Sequence, residues 1–224
     1  MEIDFSTLTY EELIEFIFNR PVFKAHEDKW EKVETTFPPS NRPVLVEHLT
    51  RLCLEFSSLR SRFTWEQIDQ GVWAMLMNPV EAVDWLMDDK VPNDLRLRCI
   101  ESMYEVFAGT VAHIDSDTPM ENCFFMWWDI VASRFCSSLG YRTNEVLIPN
   151  TEDARQVHDT LFNTLVRILN LDDTRSQGSA LHGLGHLHHP DGAQVVQRFI
   201  ETHRADAPPE AIEWAIQCRD GTVM

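Results

Sequence analysis

The sequence predicts an all-α fold in which antiparallel helical hairpins stack as a superhelix, and three observations lead to this prediction. Apolar residues recur at spacings of three and four over most of the chain. Helix-start signals precede these stretches, with capping boxes at Thr9–Glu12 and Thr64–Gln67. Residues 175–203 contain two helical patterns separated by a His-Pro-Asp turn, which is the sequence of a complete helical hairpin.

The N-terminal half is expected to contain a series of short helices separated by proline-containing breaks. Helices are predicted over about 9–19, 44–59, 64–77 and 93–111, with a further short helix that begins at Pro79. Residues 22–43 combine charge with several prolines and are expected to form an irregular connection. The favoured organisation is one all-helical domain over 1–224, and the alternative is a division into 1–115 and 116–224.

The next predicted helix starts with the cap at Thr118 and is the most apolar one. Only a strip near Asp129, Ser133 and Ser137 can face water, and Gly140 is a natural stop. The link that follows is expected to be extended but without a sheet, because its one apolar run, Val146-Leu147-Ile148, cannot form a sheet alone. Later helices are predicted over about 151–169, over both halves of the 175–203 hairpin, and from near Pro208.

Glycines and a proline specify the hairpin itself. Gly183 and Gly185 interrupt an apolar helix face, which favours close approach of a neighbouring helix, since glycine otherwise costs a helix about 1 kcal/mol. His189-Pro190 is expected to end the first helix. Asp191 is then predicted to cap the second, with Gln194 reaching back to it.

The hairpin places the following residues in order: Arg175, Ala180-Leu181, Leu184-Gly185, Leu187, Pro190-Asp191, Val195-Val196 and Phe199. This order resembles a HEAT-like repeat, the helix pair of α-solenoids. The resemblance implies a stacked fold and, as for most members, a role as a protein-binding scaffold. One enzyme family of this class, the deoxyhypusine hydroxylases, binds iron through His-Glu dipeptides. The equivalent-looking dipeptides here are His182-Gly183 and His186-Leu187, which lack the carboxylate, so that activity is not implied.

The composition is that of an acidic globular protein. There are 36 Asp and Glu against 19 Lys and Arg, for a formal net charge of -17. This balance argues against nucleic-acid or anionic-membrane binding. There is no secretory signal at the first residues and no run long enough to span a bilayer. The 5 cysteines lack any Cys-x-x-Cys pair and are expected to be buried, reduced thiols in a cytoplasmic protein.

The first functional hypothesis is a non-catalytic protein-protein interaction module whose acidic surface binds a basic protein. An immunity-type protein that neutralises a basic toxin is one variant of it. The acidic candidates are Asp172 and Asp173, before the hairpin, and Glu210 and Glu213, on the final helix. The alternative interpretation of the acidity is solubility alone. No cofactor is expected under this hypothesis.

The rival hypothesis is a metal-dependent enzyme or sensor. His182, His186 and His189 fall at i, i+4 and i+7, and two imidazoles one turn apart can share zinc or another divalent metal. The glutamate of a His-Glu-x-x-His motif is absent. Further ligands would have to come from His203 or from acidic side chains on neighbouring helices. The alternative is that these histidines have a structural or surface role.

Two further patterns carry a functional alternative. The run Phe124–Trp128 could line a ligand pocket, although an apolar run within a helix is typical of a core. Cys53 and Cys136 could act as nucleophiles beside a histidine, but burial would raise their pKa and leave them inert.

Overall fold

The computed structural model describes residues 3–22, 41–77, 79–115, 118, 121–143 and 146–223. Within these residues the protein is mostly helical, with ten α-helices and one two-stranded sheet. The all-α prediction is therefore confirmed for the described part of the chain. The chain divides into two compact units, Met1–Cys123 and Phe124–Met224, each with its own internal packing.

The described part of the first unit contains five complete helices, two of which begin at capping boxes. Their bounds are α1 (Tyr10–Phe18), α2 (Arg42–Glu55), α3 (Trp65–Leu76), α4 (Ala82–Met87) and α5 (Asn93–Gly109), with 3-10 segments at Phe5–Thr7, Phe56–Ser61 and Val111–His113. Both predicted capping boxes are present, since the hydroxyls of Thr9 and Thr64 accept from the amides of Glu12 and Gln67. Most of the predicted connection over 22–43 lies outside the described residues.

The helix predicted to begin at Pro79 begins instead at Ala82. The residue before it, Glu81, has a left-handed backbone with φ of 48°. A residue in that region interrupts the helical path, so the chain leaves the proline turn before α4 can start.

The second unit is built from helices around one hairpin. α6 (Glu121–Leu139) starts just before the boundary between the units and belongs to the second unit from Phe124 onward. The elements that follow are β1 (Gly140–Thr143), β2 (Val146–Pro149), α7 (Glu152–Leu169), α8 (Thr174–Leu187), α9 (Gly192–His203) and α10 (Pro209–Arg219). α8 packs against α7, α9 and α10, and α9 also packs against α10. His182 lies beside Trp214 and Gly185 beside Cys218, so α8 and α10 run in the same direction. Residues 119 and 120 of the predicted cap of α6 lie outside the described residues.

The expected extended link after α6 forms a two-stranded antiparallel sheet, which corrects the prediction that Val146–Ile148 has no partner strand. Gly140 pairs with Pro149 at the base of this β-hairpin. A side chain at Gly140 would overlap the backbone of Ile148, so only glycine lets the strands pair directly after the helix. The partner strand 140–143 has no alternating apolar pattern, so its sequence alone does not indicate that it forms a strand.

The helical hairpin predicted over 175–203 is present as α8 and α9. α8 ends at Leu187, because His188 takes a left-handed backbone with φ of 51°. His189, which precedes a proline, is then outside the helix. Asp191 occupies the position before α9, but its side chain makes no capping hydrogen bond, which corrects the predicted cap.

The described helices and the cysteines agree with two expectations from composition. No helix in the described part of the chain is long and apolar enough to cross a bilayer. All five cysteines are free, and Cys136 alone among them is partly exposed. Burial raises the pKa of the Cys99, Cys136 and Cys218 thiols to about 12, and raises that of Cys53 well above its usual value. These thiols stay protonated at neutral pH, which argues against the nucleophile alternative.

Candidate metal centre

Glycine in α8 lets this helix approach α6 closely. A Cβ added at Gly183 would lie 2.6 Å from the Cβ of Trp128 and 2.9 Å from a methyl carbon of Leu165. Any larger residue would therefore push α8 away from α6, while on the other side the flexible end of the Leu165 side chain of α7 would have to shift. The close approach predicted for this glycine is confirmed, and it brings the histidines of α8 next to α6.

Three potential metal ligands meet where α6 and α8 touch. Asp129 comes from α6, His182 and His186 come from adjacent turns of α8, and their ligand atoms all lie within 4.8 Å of one another. His186 Nε2 lies 3.0 Å from Asp129 Oδ1, although not in hydrogen-bond geometry. The Ser133 hydroxyl donates to the same carboxylate oxygen at 3.3 Å and so helps to orient it. We call Asp129, His182 and His186 the ligand group.

His182 is the most unusual member of the ligand group. It is 2% exposed, and neither of its ring nitrogens makes a hydrogen bond of good geometry, although the Phe125 carbonyl lies close enough to act on its pKa. Burial lowers the pKa of His182 below its usual value, while the charge of Asp129 and the carbonyl of Phe125 act in the opposite direction. A buried polar atom without a partner costs about 1–3 kcal/mol, so the His182 ring retains unused binding capacity.

Burial differs between the two sides of the ligand group. On one side the Phe125 ring lies 4.7 Å and the Trp214 ring 6.1 Å from the His182 ring, measured between centroids. On the other side the Asp129 and His186 side chains are 21% and 22% exposed. The group is therefore covered by aromatic rings at His182, His186 Nε2 is itself buried, and solvent reaches the group at the Asp129 side chain.

Neighbouring elements hold the backbone of the turn that carries His186. The Cys136 thiol of α6 donates to the carbonyls of His186 and Leu187 at 3.2 and 3.3 Å. His158 Nε2 of α7 lies 2.9 Å from the Leu187 carbonyl, and the Leu147 amide of β2 donates to the next carbonyl at 2.9 Å. The last carbonyls of a helix have no partners within the helix itself. Here the neighbouring elements provide the missing hydrogen-bond donors, and these hydrogen bonds fix the position of His186 relative to α6.

The third predicted ligand, His189, lies outside the ligand group. The prediction assumed one continuous helix face, but α8 ends at Leu187. The Nε2 of His189 is instead 3.3 Å from Asp159 Oδ1, and its ring stacks on Phe162 at a centroid distance of 3.9 Å. The structure brings His182 and His186 together and adds a carboxylate from another helix.

Asp129 is the member that sequence reasoning missed as a ligand. The sequence places it on the water-facing strip of α6, where a charged residue needs no special explanation. The available signal was its position as the one carboxylate of this strongly apolar helix beyond its first residue, Glu121. Of the run suspected of lining a pocket, Phe124, Trp127 and Trp128 are buried core residues, and Phe125 contacts His182.

Three of the four acidic candidates lie at the start of α8 or α10, and Glu213 lies further along α10. Asp173 caps α8, its side chain accepting from the Ser176 amide at 2.7 Å. Asp172, Glu210 and Glu213 are exposed. Trp214 lies beside His182, so Glu213 is level with the middle of α8, whereas Asp172 and Asp173 lie at the start of that helix.

Comparisons with known proteins assign no role to these residues. The chain matches no protein-family model, no curated protein and no solved structure. The HEAT-like resemblance remains a prediction, and function is inferred from the geometry of the ligand group and the surface.

Proposed function

We propose that the protein binds a divalent transition-metal ion, with zinc favoured, through Asp129, His182 and His186. The observation that carries this proposal is the buried His182 ring, whose two nitrogens make no hydrogen bond of good geometry although two other metal-ligand atoms lie within 4.8 Å. An ordinary core histidine is hydrogen-bonded. An ion bound between the three side chains would supply the missing partner.

The donor set fits this class of ion. Imidazole suits zinc, copper, iron and nickel, whereas calcium and magnesium prefer sites made of oxygen donors. Donor atoms held about 2.1 Å from a tetrahedral zinc ion lie roughly 3.4 Å apart. The ligand atoms are all within 4.8 Å of one another, so small side-chain rotations would close the site.

Stoichiometric metal is the first expected result. Protein made without a polyhistidine tag should contain zinc or a related ion, or take it up on reconstitution, as measured by elemental analysis and titration calorimetry. His182→Ala and Asp129→Asn should each weaken binding by about 100-fold or more, since even the groups that only orient a ligand contribute about 10–100-fold.

His189→Gln is the matched control for these variants, because it changes a histidine of the same helical hairpin that lies outside the ligand group. It should bind metal as the unaltered protein does. Equal loss of metal in the His189→Gln and His182→Ala variants would contradict the assignment, as would a folded protein that takes up no transition metal.

A second candidate function is a HEAT-like interaction module that binds a basic protein. It is supported by the α8–α9 hairpin, by the packing of α10 against both of its helices, and by the exposed carboxylates of Asp172, Glu210 and Glu213. In stacked helical hairpins, successive helices contribute to one binding surface. The net charge of -17 would attract a basic partner over a distance.

The acidic surface predicts a salt-sensitive association rate with a partner recovered by pull-down. Raising salt from about 0.05 to 0.5 M shortens the screening length from roughly 14 to 4 Å, so the on-rate should fall sharply and the off-rate less. Replacing Asp172, Glu210 and Glu213 by Asn or Gln should have a similar effect in stopped-flow measurements. Asp173→Asn tests the fourth carboxylate with its capping role kept. If the on-rate depended neither on salt nor on these substitutions, the acidic residues would serve solubility and not partner binding.

A further inference from the structure

The ligand group offers three protein ligands, one fewer than the four that a zinc ion takes. Among the described residues, no further His, Cys, Asp or Glu side chain joins Asp129, His182 and His186 in this cluster. Zinc takes four ligands in its structural sites, all from the protein, whereas catalytic sites have three protein ligands and one exchangeable ligand. The three protein ligands found here match the number in catalytic zinc sites, which leave one position for an exchangeable ligand.

The burial of the group shows from which side an exchangeable ligand could reach the ion. His182 is 2% exposed and lies against the rings of Phe125 and Trp214. The side chains of Asp129 and His186 keep 21% and 22% of their surface exposed. His186 Nε2 itself is buried, so an ion between these side chains would have a closed aromatic side at His182 and would be open to solvent on the side of Asp129.

The charge of the group determines which ligands the ion would accept. Metal-bound histidines are neutral, so a divalent ion with two imidazoles and one carboxylate retains one positive charge. Aromatic rings beside His182 reduce the local dielectric response, which strengthens the attraction between this charge and an anion. The Ser133 hydroxyl donates to Asp129 Oδ1 and helps to orient the carboxylate.

We propose that the metal centre keeps one open coordination position, at which water exchanges with small anions such as carboxylates. This inference rests on the proposed metal binding and goes beyond it, because it assigns the centre to the ligand-accepting class of sites. The chemical class of the ligand is a small anion with an oxygen or nitrogen donor. The Cys136 thiol and the His158 ring contact the carbonyls of His186 and Leu187 and hold the backbone of this turn in place. The geometry of the open coordination position should therefore stay constant.

The test uses the full-length chain reconstituted with cobalt(II), whose visible absorption bands report the number and kind of ligands. Cobalt uptake is measured first by titration. The loaded protein is then titrated with sodium azide and, separately, with sodium acetate, at constant ionic strength and pH. Sodium perchlorate, whose anion coordinates weakly, serves as the salt control. The expected result is a saturable change of the bands with azide and acetate, in the millimolar range, and no change with perchlorate.

The outcomes separate the two proposals. Absence of cobalt uptake would contradict metal binding itself. Stoichiometric uptake with bands that do not respond to azide or acetate would overturn the open position and show a closed, structural centre. The His189→Gln variant should respond as the unaltered protein does. A response that persists in His182→Ala would place the cobalt elsewhere and also count against the proposal.

Discussion

Zinc in about a thousandfold excess over its dissociation constant is expected to stabilise the protein by roughly 4 kcal/mol, which corresponds to a rise in Tm of about 8–16 °C for a chain of this size. The physical reason is that the ligands come from α6 and α8 and are brought together only in the folded chain. Calorimetry or circular dichroism melts of metal-free protein, with zinc and then with excess chelator, measure the effect and its reversal.

Two controls show whether this stabilisation comes from the ligand group. Asp129→Asn keeps the shape of the side chain but removes its charge, so the rise in Tm should be largely lost. Magnesium should have little effect, because a site with two imidazoles suits it poorly. A rise of the same size in the His182→Ala variant would show that zinc stabilises the protein through other residues.

Gly183→Ala is expected to destabilise the protein by about 2 kcal/mol, although alanine favours a helix over glycine by about 1 kcal/mol. The new Cβ would lie 2.6 Å from the Cβ of Trp128, an atom next to the backbone that cannot rotate away. Overpacking of this kind costs typically 1–3 kcal/mol, and a clash against so rigid an atom belongs at the upper end, about 3 kcal/mol. Urea unfolding monitored by circular dichroism gives the change, and metal affinity should fall as α8 moves away from α6.

Gly178→Ala is the matched control, since it lies in the same helix but has room. Its Cβ would be 3.9 Å from the nearest atoms of the Phe125 ring, an ordinary contact. This variant should be neutral or more stable by up to about 1 kcal/mol. If the Gly183→Ala and Gly178→Ala variants were equally stable, this would contradict the close approach of α6 and α8 at Gly183.

Those parts of the fold that depend on local chemistry could be predicted from the sequence. The capping boxes at Thr9 and Thr64 involve residues three apart, and the proline after His189 marks the break between α8 and α9, although α8 itself ends at Leu187. The sheet could not be predicted in the same way, because it depends on pairing between Val146–Ile148 and a strand that has no apolar alternation.

The ligand group was predictable in part for the same reason. His182 and His186 are one helical turn apart, so their proximity follows from the helix alone. Asp129 joins them only through the tertiary approach at Gly183, which no spacing in the sequence reveals. His189 failed as a ligand because the left-handed backbone of His188 ends the helix two residues before it.

The order of elements between the ligands has a kinetic consequence. Asp129 is on α6 and the two histidines are on α8, with the β-hairpin and α7 between them in the chain. Contacts between such distant segments form after the local ones, because a long loop must first be closed. An ion held by all three side chains would thus have little to bind until α6, α7 and α8 are in place. Interactions that are absent from the transition state for folding act mainly on the unfolding rate. Metal at this centre would therefore prolong the lifetime of the folded state and leave the speed of folding almost unchanged.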